Sequence, residues 1–364
     1  MCPGNKMIIY TLLLSHIPFT IATPFQSFYP HYAQTLTNLS ENVCSETLAL
    51  VEGVNYSPDS APPQADRLDY CYGHENCMLA NLPAAYLANY QAASVIMGLT
   101  PTVLASLGPS VAETSLLSAH RPLLSFLISL GAPAVYPARV FEFTDPYSVL
   151  RHKEHLLRLP LWGTRSAIIC SVLEYVFALA AATMIISTSV QLGAKTILVW
   201  NCTNPAMPLV WTFLSAAIHI GAALSHKIAL NSSDNKVGGS ETSARKGTLR
   251  RISGLLRSEF RICALRKQLH ARELEDPPRM AVLLNCFSGL GGVWHVVFGT
   301  VIFSGLTFIS IIDFMNYVFW RYILAAGICR LILMVELTGL RAVQRKCEQQ
   351  ANGGNDLAIT SEVK

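Results

Sequence analysis

Five long apolar stretches constrain this chain more than any other feature of its sequence. They cover residues 89–109, 166–190, 207–226, 288–312 and 318–339. A helix needs about 20 apolar residues to cross the hydrocarbon core of a bilayer, and each stretch reaches that length. Charged residues make up only 14% of the chain, well below the roughly 25% found in soluble domains. The sequence therefore predicts an all-α membrane protein, a bundle of five to six transmembrane helices.

A sixth apolar stretch, residues 122–141, is interrupted by Pro133 and Pro137. Proline removes a backbone donor and clashes with the preceding turn, and irregular backbone at membrane depth must be surrounded by protein or a wet cavity. Two interpretations stay open, a re-entrant or interfacial hairpin and a full sixth span. The hairpin is favoured, because a sixth span would place the basic residues of 142–165 on the wrong side of the membrane.

The N-terminal end resembles a secretory signal peptide over residues 1–22, with Lys6 before a short apolar core and small residues near Ala22. An uncleaved signal anchor is the alternative. Both interpretations place residues 23–88 in the lumen or outside the cell. This acidic segment shows no sustained helical period and is expected to be loop-rich.

Lysine and arginine near the ends of the spans predict the orientation of the bundle. The loop 227–279 holds twelve Lys/Arg against six Asp/Glu and is expected in the cytoplasm, as is the tail 341–364. The first part of the bundle then covers 89–226. The second part, 280–340, forms a hairpin that turns on the outer side near residues 313–316.

Four cysteines fall in the predicted outer compartment: Cys44, Cys71, Cys77 and Cys202. An even number in an oxidising compartment predicts two disulfides, whose pairing the sequence leaves open. Three glycosylation sequons lie in the same predicted compartment, at Asn38, Asn55 and Asn201.

Four polar side chains lie well inside the predicted spans: Glu174, His219, His295 and Arg330. Such residues are costly in lipid and are therefore candidates for function. A structural ion pair between Glu174 and Arg330 is the favoured interpretation, since a single buried charge needs a partner. A polar site for a substrate, a proton or a metal is the alternative, although no spacing typical of a zinc site is present. Glu336 lies near a span end and is expected to reach water.

The cytoplasmic loop contains a predicted basic amphipathic helix from Thr248 to Glu275, which suits a surface of anionic lipid headgroups. Its basic residues are Arg250, Arg251, Arg257, Arg261, Arg266 and Lys267. A calmodulin-type target and a solvated helix are the alternatives. Ser253 follows two arginines and is a candidate for phosphorylation, which would weaken contact with anionic lipid. Small residues at four-residue spacing in the spans allow close helix packing, within the chain or in a homo-oligomer.

One stretch, residues 98–143, resembles a group of uncharacterised multi-pass membrane proteins of filamentous fungi. The resemblance is carried by the segments 98–102 (GLTPT) and 108–113 (GPSVAE), and by Arg121-Pro122, Ala132-Pro133-Ala134 and Phe141-Glu142-Phe143. It implies a fungal origin and a packed, specific role for residues 110–141. It transfers no catalytic residue, because no activity is attached to the group.

No motif for a protease, a nucleotide-binding loop or a dinucleotide-binding fold occurs in the sequence, and no cofactor or nucleic acid partner is indicated. The sequence favours a non-enzymatic transporter-like, channel-like or scaffold component in the plasma membrane or the secretory pathway. Two alternatives remain. One is a membrane-embedded enzyme that uses Glu174 with His219 or His295 as acid and base. The other is a receptor-like protein.

Overall fold

The structure is a computed structural model that describes residues 24–53, 64–136, 146–151, 164–237, 259–265 and 277–361. It confirms the all-α membrane bundle. Over these residues, five helices are long and apolar enough to cross a bilayer: Ala84–Leu107, Ser166–Lys195, Met207–Ser232, Arg279–Ser304 and Ile311–Cys347. Many large apolar side chains along these helices stay exposed. Lipid satisfies such a surface, whereas water does not.

The elements follow one another in a simple order. Over the described residues, the first span, α4 (Ala84–Leu107), follows α1 (Ala33–Asn38), a π-helical stretch (Leu39–Val43), α2 (Ser45–Glu52) and α3 (Gln64–Ala80). In the described parts of the chain that come next lie α5 (Val111–Ser118), α6 (Pro122–Gly131), α7 (Ser148–Arg151), α8 (Thr164–Lys195) and β1 (Ile197–Leu198). The chain continues through α9 (Met207–Val237), a 3-10 turn (Cys263–Leu265), α10 (Arg279–Ser304), β2 (Leu306–Thr307), α11 (Ile311–Asp313), a π-helical stretch (Phe314–Phe319) and α12 (Trp320–Ser361).

The apolar stretch 122–141 does not form a sixth spanning helix over its described residues. Its helix, α6, has 10 residues and is therefore about 15 Å long, half the thickness of the hydrocarbon core. Pro122 occupies the first turn of α6, where a missing backbone N–H costs nothing. α5 and α6 pack against each other as a short helical hairpin.

The turn between the last two spans is predicted at residues 313–316, but it lies before Ile311. The helix that matches the predicted span 288–312 ends at Ser304, so the predicted span is wrong over residues 305–312. The backbone N–H of Asp313 donates to Ser310 Oγ at 3.0 Å, and the Ser310 hydroxyl donates to the Asp313 carboxylate at 2.9 Å. Asp313 therefore belongs to a capped helix start and not to the turn.

The chain forms two compact units. The first comprises the described residues up to Ser106 together with Thr183–Leu214 and His295–Ala325. Its N-terminal segment is more helical than the sequence predicts, because α1, α2 and α3 are held by cross-links and an aromatic core rather than by a periodic apolar face. The two expected disulfides are confirmed, as Cys44–Cys77 and Cys71–Cys202.

The second unit comprises Leu107–Ala182, Ser215–Trp294 and Ala326–Lys364, over its described residues. Small residues bring its helices together. A Cβ atom at Gly221 of α9 would lie 3.0 Å from the Ser288 hydroxyl oxygen of α10. At these two positions, small residues serve packing within the chain.

Candidate functional site

The start of helix α5 carries a partly buried ion pair. The Ser110 side chain accepts a hydrogen bond from the Glu113 N–H at 3.2 Å, and the Ser110 N–H donates to Glu113 Oε2 at 2.8 Å. This capping box holds the Glu113 carboxylate in place. Arg330 donates to the same oxygen at 2.5 Å. The partner of Arg330 is thus Glu113, and the predicted pair with Glu174 is wrong.

A larger site is built around Arg121, which directly precedes helix α6 and is completely buried. One guanidinium nitrogen, Nη1, donates to both Glu174 and Glu336, the latter at 2.8 Å. Nη2 donates to the Ser171 hydroxyl at 2.7 Å, and Nε donates to the backbone carbonyl of Glu259 at 2.9 Å. We call Arg121, Glu174, Glu336 and Glu259 the charge cluster.

Carboxyl groups outnumber basic groups in the charge cluster. Two carboxyl groups, those of Glu174 and Glu336, contact one guanidinium, and Glu336 is completely buried rather than in contact with water as predicted. Because both accept a hydrogen bond from the same nitrogen, Nη1, the Glu174 and Glu336 carboxyl groups lie side by side. Two adjacent carboxyl groups can form a hydrogen bond to each other only if one of them holds a proton. A buried negative charge without a partner costs roughly several kcal/mol. Binding of a proton to one of the two carboxylates removes the excess negative charge.

Glu259 caps the short helix α6. Its Oε1 accepts hydrogen bonds from the backbone N–H groups of Leu123 at 2.9 Å and Leu124 at 3.1 Å. The Tyr175 hydroxyl of α8 donates to the same oxygen at 2.7 Å. Because the N-cap residue, Arg121, makes no side-chain cap, Glu259 provides the acceptor that the first turn of α6 needs.

The chain around Glu259 is bound at a second point. The Cys263 N–H donates to Glu336 Oε2 at 3.2 Å, and a Cβ atom at Gly339 of α12 would lie 2.8 Å from the Ala264 nitrogen. We call Glu259–Leu265 the docked segment. The predicted basic helix from 248 to 275 is interrupted here by a turn and a bend, because Glu259 and Cys263 are drawn into the protein.

The predicted histidines have other partners. His219 Nδ1 and the Thr114 hydroxyl lie 2.7 Å apart in the second unit. In the first unit, His295 stacks on Trp211 with ring centroids 4.8 Å apart. The Trp211 indole N–H donates to the His295 carbonyl at 3.0 Å, and His295 Nε2 lies 2.9 Å from the Trp211 carbonyl oxygen. This reciprocal pair fixes α9 to α10.

Glu75 and His74 are buried in the N-terminal segment, outside the spans. Burial raises the pKa of Glu75 to about 7. The Thr307 hydroxyl, 3.5 Å from the carboxylate, lowers this pKa by a smaller amount. Burial also lowers the pKa of His74 to about 4. The two ring nitrogens of His74 lie 3.0 Å from the Ser40 hydroxyl and 2.8 Å from the Thr47 hydroxyl.

The remaining predicted site residues divide between described and undescribed parts of the chain. Asn38 is exposed, Asn201 is half-buried beside the Cys71–Cys202 disulfide, and Arg261 is exposed on the docked segment. The others lie outside the described residues: Asn55, Arg250, Arg251, Ser253, Arg257, Arg266 and Lys267. Across the described ranges, no three His, Cys, Asp or Glu side chains are arranged to hold a metal ion.

The sequence identified Glu174 as a candidate, but it did not indicate Arg121 as its partner, and it did not indicate Glu259. The signal for Arg121 was its place as a lone base directly before the apolar helix that begins at Pro122. Glu259 gave no comparable signal, since acidic residues are ordinary in a solvated loop.

Comparison of the chain with protein-family models, curated proteins and solved structures found no match.

Proposed function

We propose that this multi-pass membrane protein is a non-enzymatic carrier whose charge cluster binds and releases a proton. One observation carries the proposal. The Glu174 and Glu336 carboxyl groups both accept from one guanidinium nitrogen of Arg121 and are buried side by side, away from water. Ionisable side chains inside spans are typical of proton relays and substrate pathways.

The chemistry of the charge cluster suits charge movement better than catalysis. General acid–base work needs a carboxyl group or an imidazole that can reach a substrate. Here the Glu174 carboxyl group bonds to Arg121, and His219 bonds to Thr114. A membrane-embedded enzyme built on Glu174 and His219 would first have to break both contacts.

A proton changes the balance of forces in the charge cluster. With one shared proton, Glu174 and Glu336 present a single negative charge to Arg121, which Arg121 neutralises. Loss of that proton leaves two carboxylates side by side, and their repulsion favours a different arrangement of α8 and α12. A two-state element biased in this way is the minimum that a proton-linked carrier requires.

The membrane setting of the carrier belongs to the same proposal. The N-terminal segment faces the lumen or the exterior, and the basic loop faces the cytoplasm with its arginines on anionic lipid. The plasma membrane and the secretory pathway both fit this orientation. It is supported by the lysine and arginine bias and by the disulfides of the N-terminal segment. Glycosylation mapping at Asn38 and Asn201 tests it, and two unmodified sites in a glycosylating membrane would contradict it.

A pH-jump experiment tests the proton site without knowledge of the solute. The purified chain is reconstituted into vesicles adsorbed on a solid-supported membrane, and the external pH is stepped. We expect a transient current from proton binding in the wild type, and its loss in Glu174→Gln. Glu41→Gln, at an exposed position, is the matched control and should keep the current. A current of wild-type size in Glu174→Gln would refute the proposal.

A further inference from the structure

The Glu259 carboxylate occupies a site whose donors come from other parts of the chain. The two backbone N–H groups belong to α6, and the Tyr175 hydroxyl belongs to α8. All three donors converge on one oxygen atom at 2.7 to 3.1 Å, and the Glu259 residue is only 6% exposed. This geometry is that of a receptor for a carboxylate group.

The electrostatics of the site also favour an anion. The first turn of a helix carries the positive end of its dipole, and the Arg121 guanidinium lies 5.1 Å from the centre of the Tyr175 ring. Beside the carboxylate, the Phe260 ring packs on Tyr175 with centroids 5.1 Å apart. Glu259 and Phe260 together thus present a carboxylate next to an aromatic group.

We propose that this site binds the carboxylate of a small organic acid with an aromatic or apolar body, and that Glu259 occupies it as a built-in substitute. The inference rests on the proposed carrier function and names the class of solute. When the docked segment leaves, a free carboxylate takes up the same two N–H groups and the Tyr175 hydroxyl. When the segment returns, Glu259 displaces the solute and closes the site.

Glu259 competes with a free carboxylate ligand for this site. The apparent affinity for the free ligand is therefore lowered, because only molecules with the docked segment released can bind it. Removal of the Glu259 carboxylate should therefore raise affinity. The probe is radiolabelled benzoate, measured by scintillation proximity on the detergent-solubilised full chain at neutral pH. Benzamide, which has the same ring without the charge, is the matched control compound.

We expect Glu259→Ala to bind benzoate at least tenfold more tightly than the wild type, and benzamide not to compete. Addition of Tyr175→Phe to Glu259→Ala should weaken benzoate binding severalfold, since one donor is lost. Equal benzoate affinity in Glu259→Ala and the wild type overturns the proposal, as does equal competition by benzamide.

A second measurement uses the unchanged chain, in case Glu259→Ala folds poorly. Cys263 lies in the docked segment and is completely buried. Saturating benzoate should displace the segment and raise the rate of Cys263 alkylation at least fivefold, as followed by mass spectrometry, whereas benzamide should not. Unchanged alkylation at saturating benzoate overturns the proposal. The pH-jump current of the wild type tests the carrier function separately, because it requires no organic acid.

Discussion

Replacement of Arg121 with methionine keeps an apolar stem of similar length but removes the guanidinium from the charge cluster. The protein loses hydrogen bonds to Glu174, Glu336, the Ser171 hydroxyl and the Glu259 carbonyl. Removal of one partner of a buried ion pair costs about 3–5 kcal/mol, because the other charge stays buried without compensation. We expect Arg121→Met to lower the free energy of unfolding by about 4 kcal/mol.

Thermal unfolding of the detergent-solubilised protein, followed by circular dichroism, measures this loss. The expected drop in Tm is about 5 °C, because the entropy of unfolding of a chain this long is large. Arg261→Met is the matched control, because Arg261 is exposed on the docked segment, and its Tm should stay within about 1 °C of the wild type.

The double change tests the reason for the loss. Addition of Glu174→Gln to Arg121→Met removes one of the carboxylates left without a partner and should recover part of the lost Tm. A Tm for Arg121→Met equal to that of the wild type would refute the reasoning. A further loss in the double variant, equal to the effect of Glu174→Gln alone, would do the same, because it would show that the two groups act independently.

Three further predictions concern the first unit. A Cβ atom at Gly299 would lie 2.8 Å from Trp211 Cε2, so Gly299→Ala should lower the free energy of unfolding by about 1–3 kcal/mol. Gly327→Ala is the control in the same thermal assay, because a Cβ atom there meets nothing within 4 Å. Cys71→Ser opens a link between residues 131 apart and should cost roughly 5 kcal/mol, measured by denaturant unfolding. Glu75 holds its proton more tightly when folded, so stability should fall as pH rises from about 4.5 to about 7, and Glu75→Gln should remove that slope.

The spans and the disulfides were predictable because each depends on a property that a linear sequence displays. Span length follows from bilayer thickness, and the number of disulfides follows from four cysteines in one predicted compartment. The bounds were less predictable. Ser310 and Asp313 place a helix start inside an apolar stretch, and an apolar count does not detect a capping hydrogen bond.

The charge cluster was only partly predictable, because its members come from separate segments. Hydropathy identified Glu174 as a buried charge that needs a partner. It could not show that this partner is Arg121 and not Arg330. Both bases lie in or beside apolar segments. The α5–α6 hairpin determines the partner, because α5 ends at Ser118, four residues before Pro122, and Arg121 therefore lies between the two helices.

The docked segment explains why an acidic residue is needed in a loop that is otherwise basic. An arginine or lysine at position 259 would place a second positive charge against Arg121 and the positive end of α6. A neutral apolar residue would leave two backbone N–H groups of α6 and the Tyr175 hydroxyl without an acceptor. A hydrogen-bond acceptor without positive charge satisfies both conditions, and a carboxylate also complements the positive end of the α6 dipole. The same two conditions define what a free ligand must offer in order to replace Glu259.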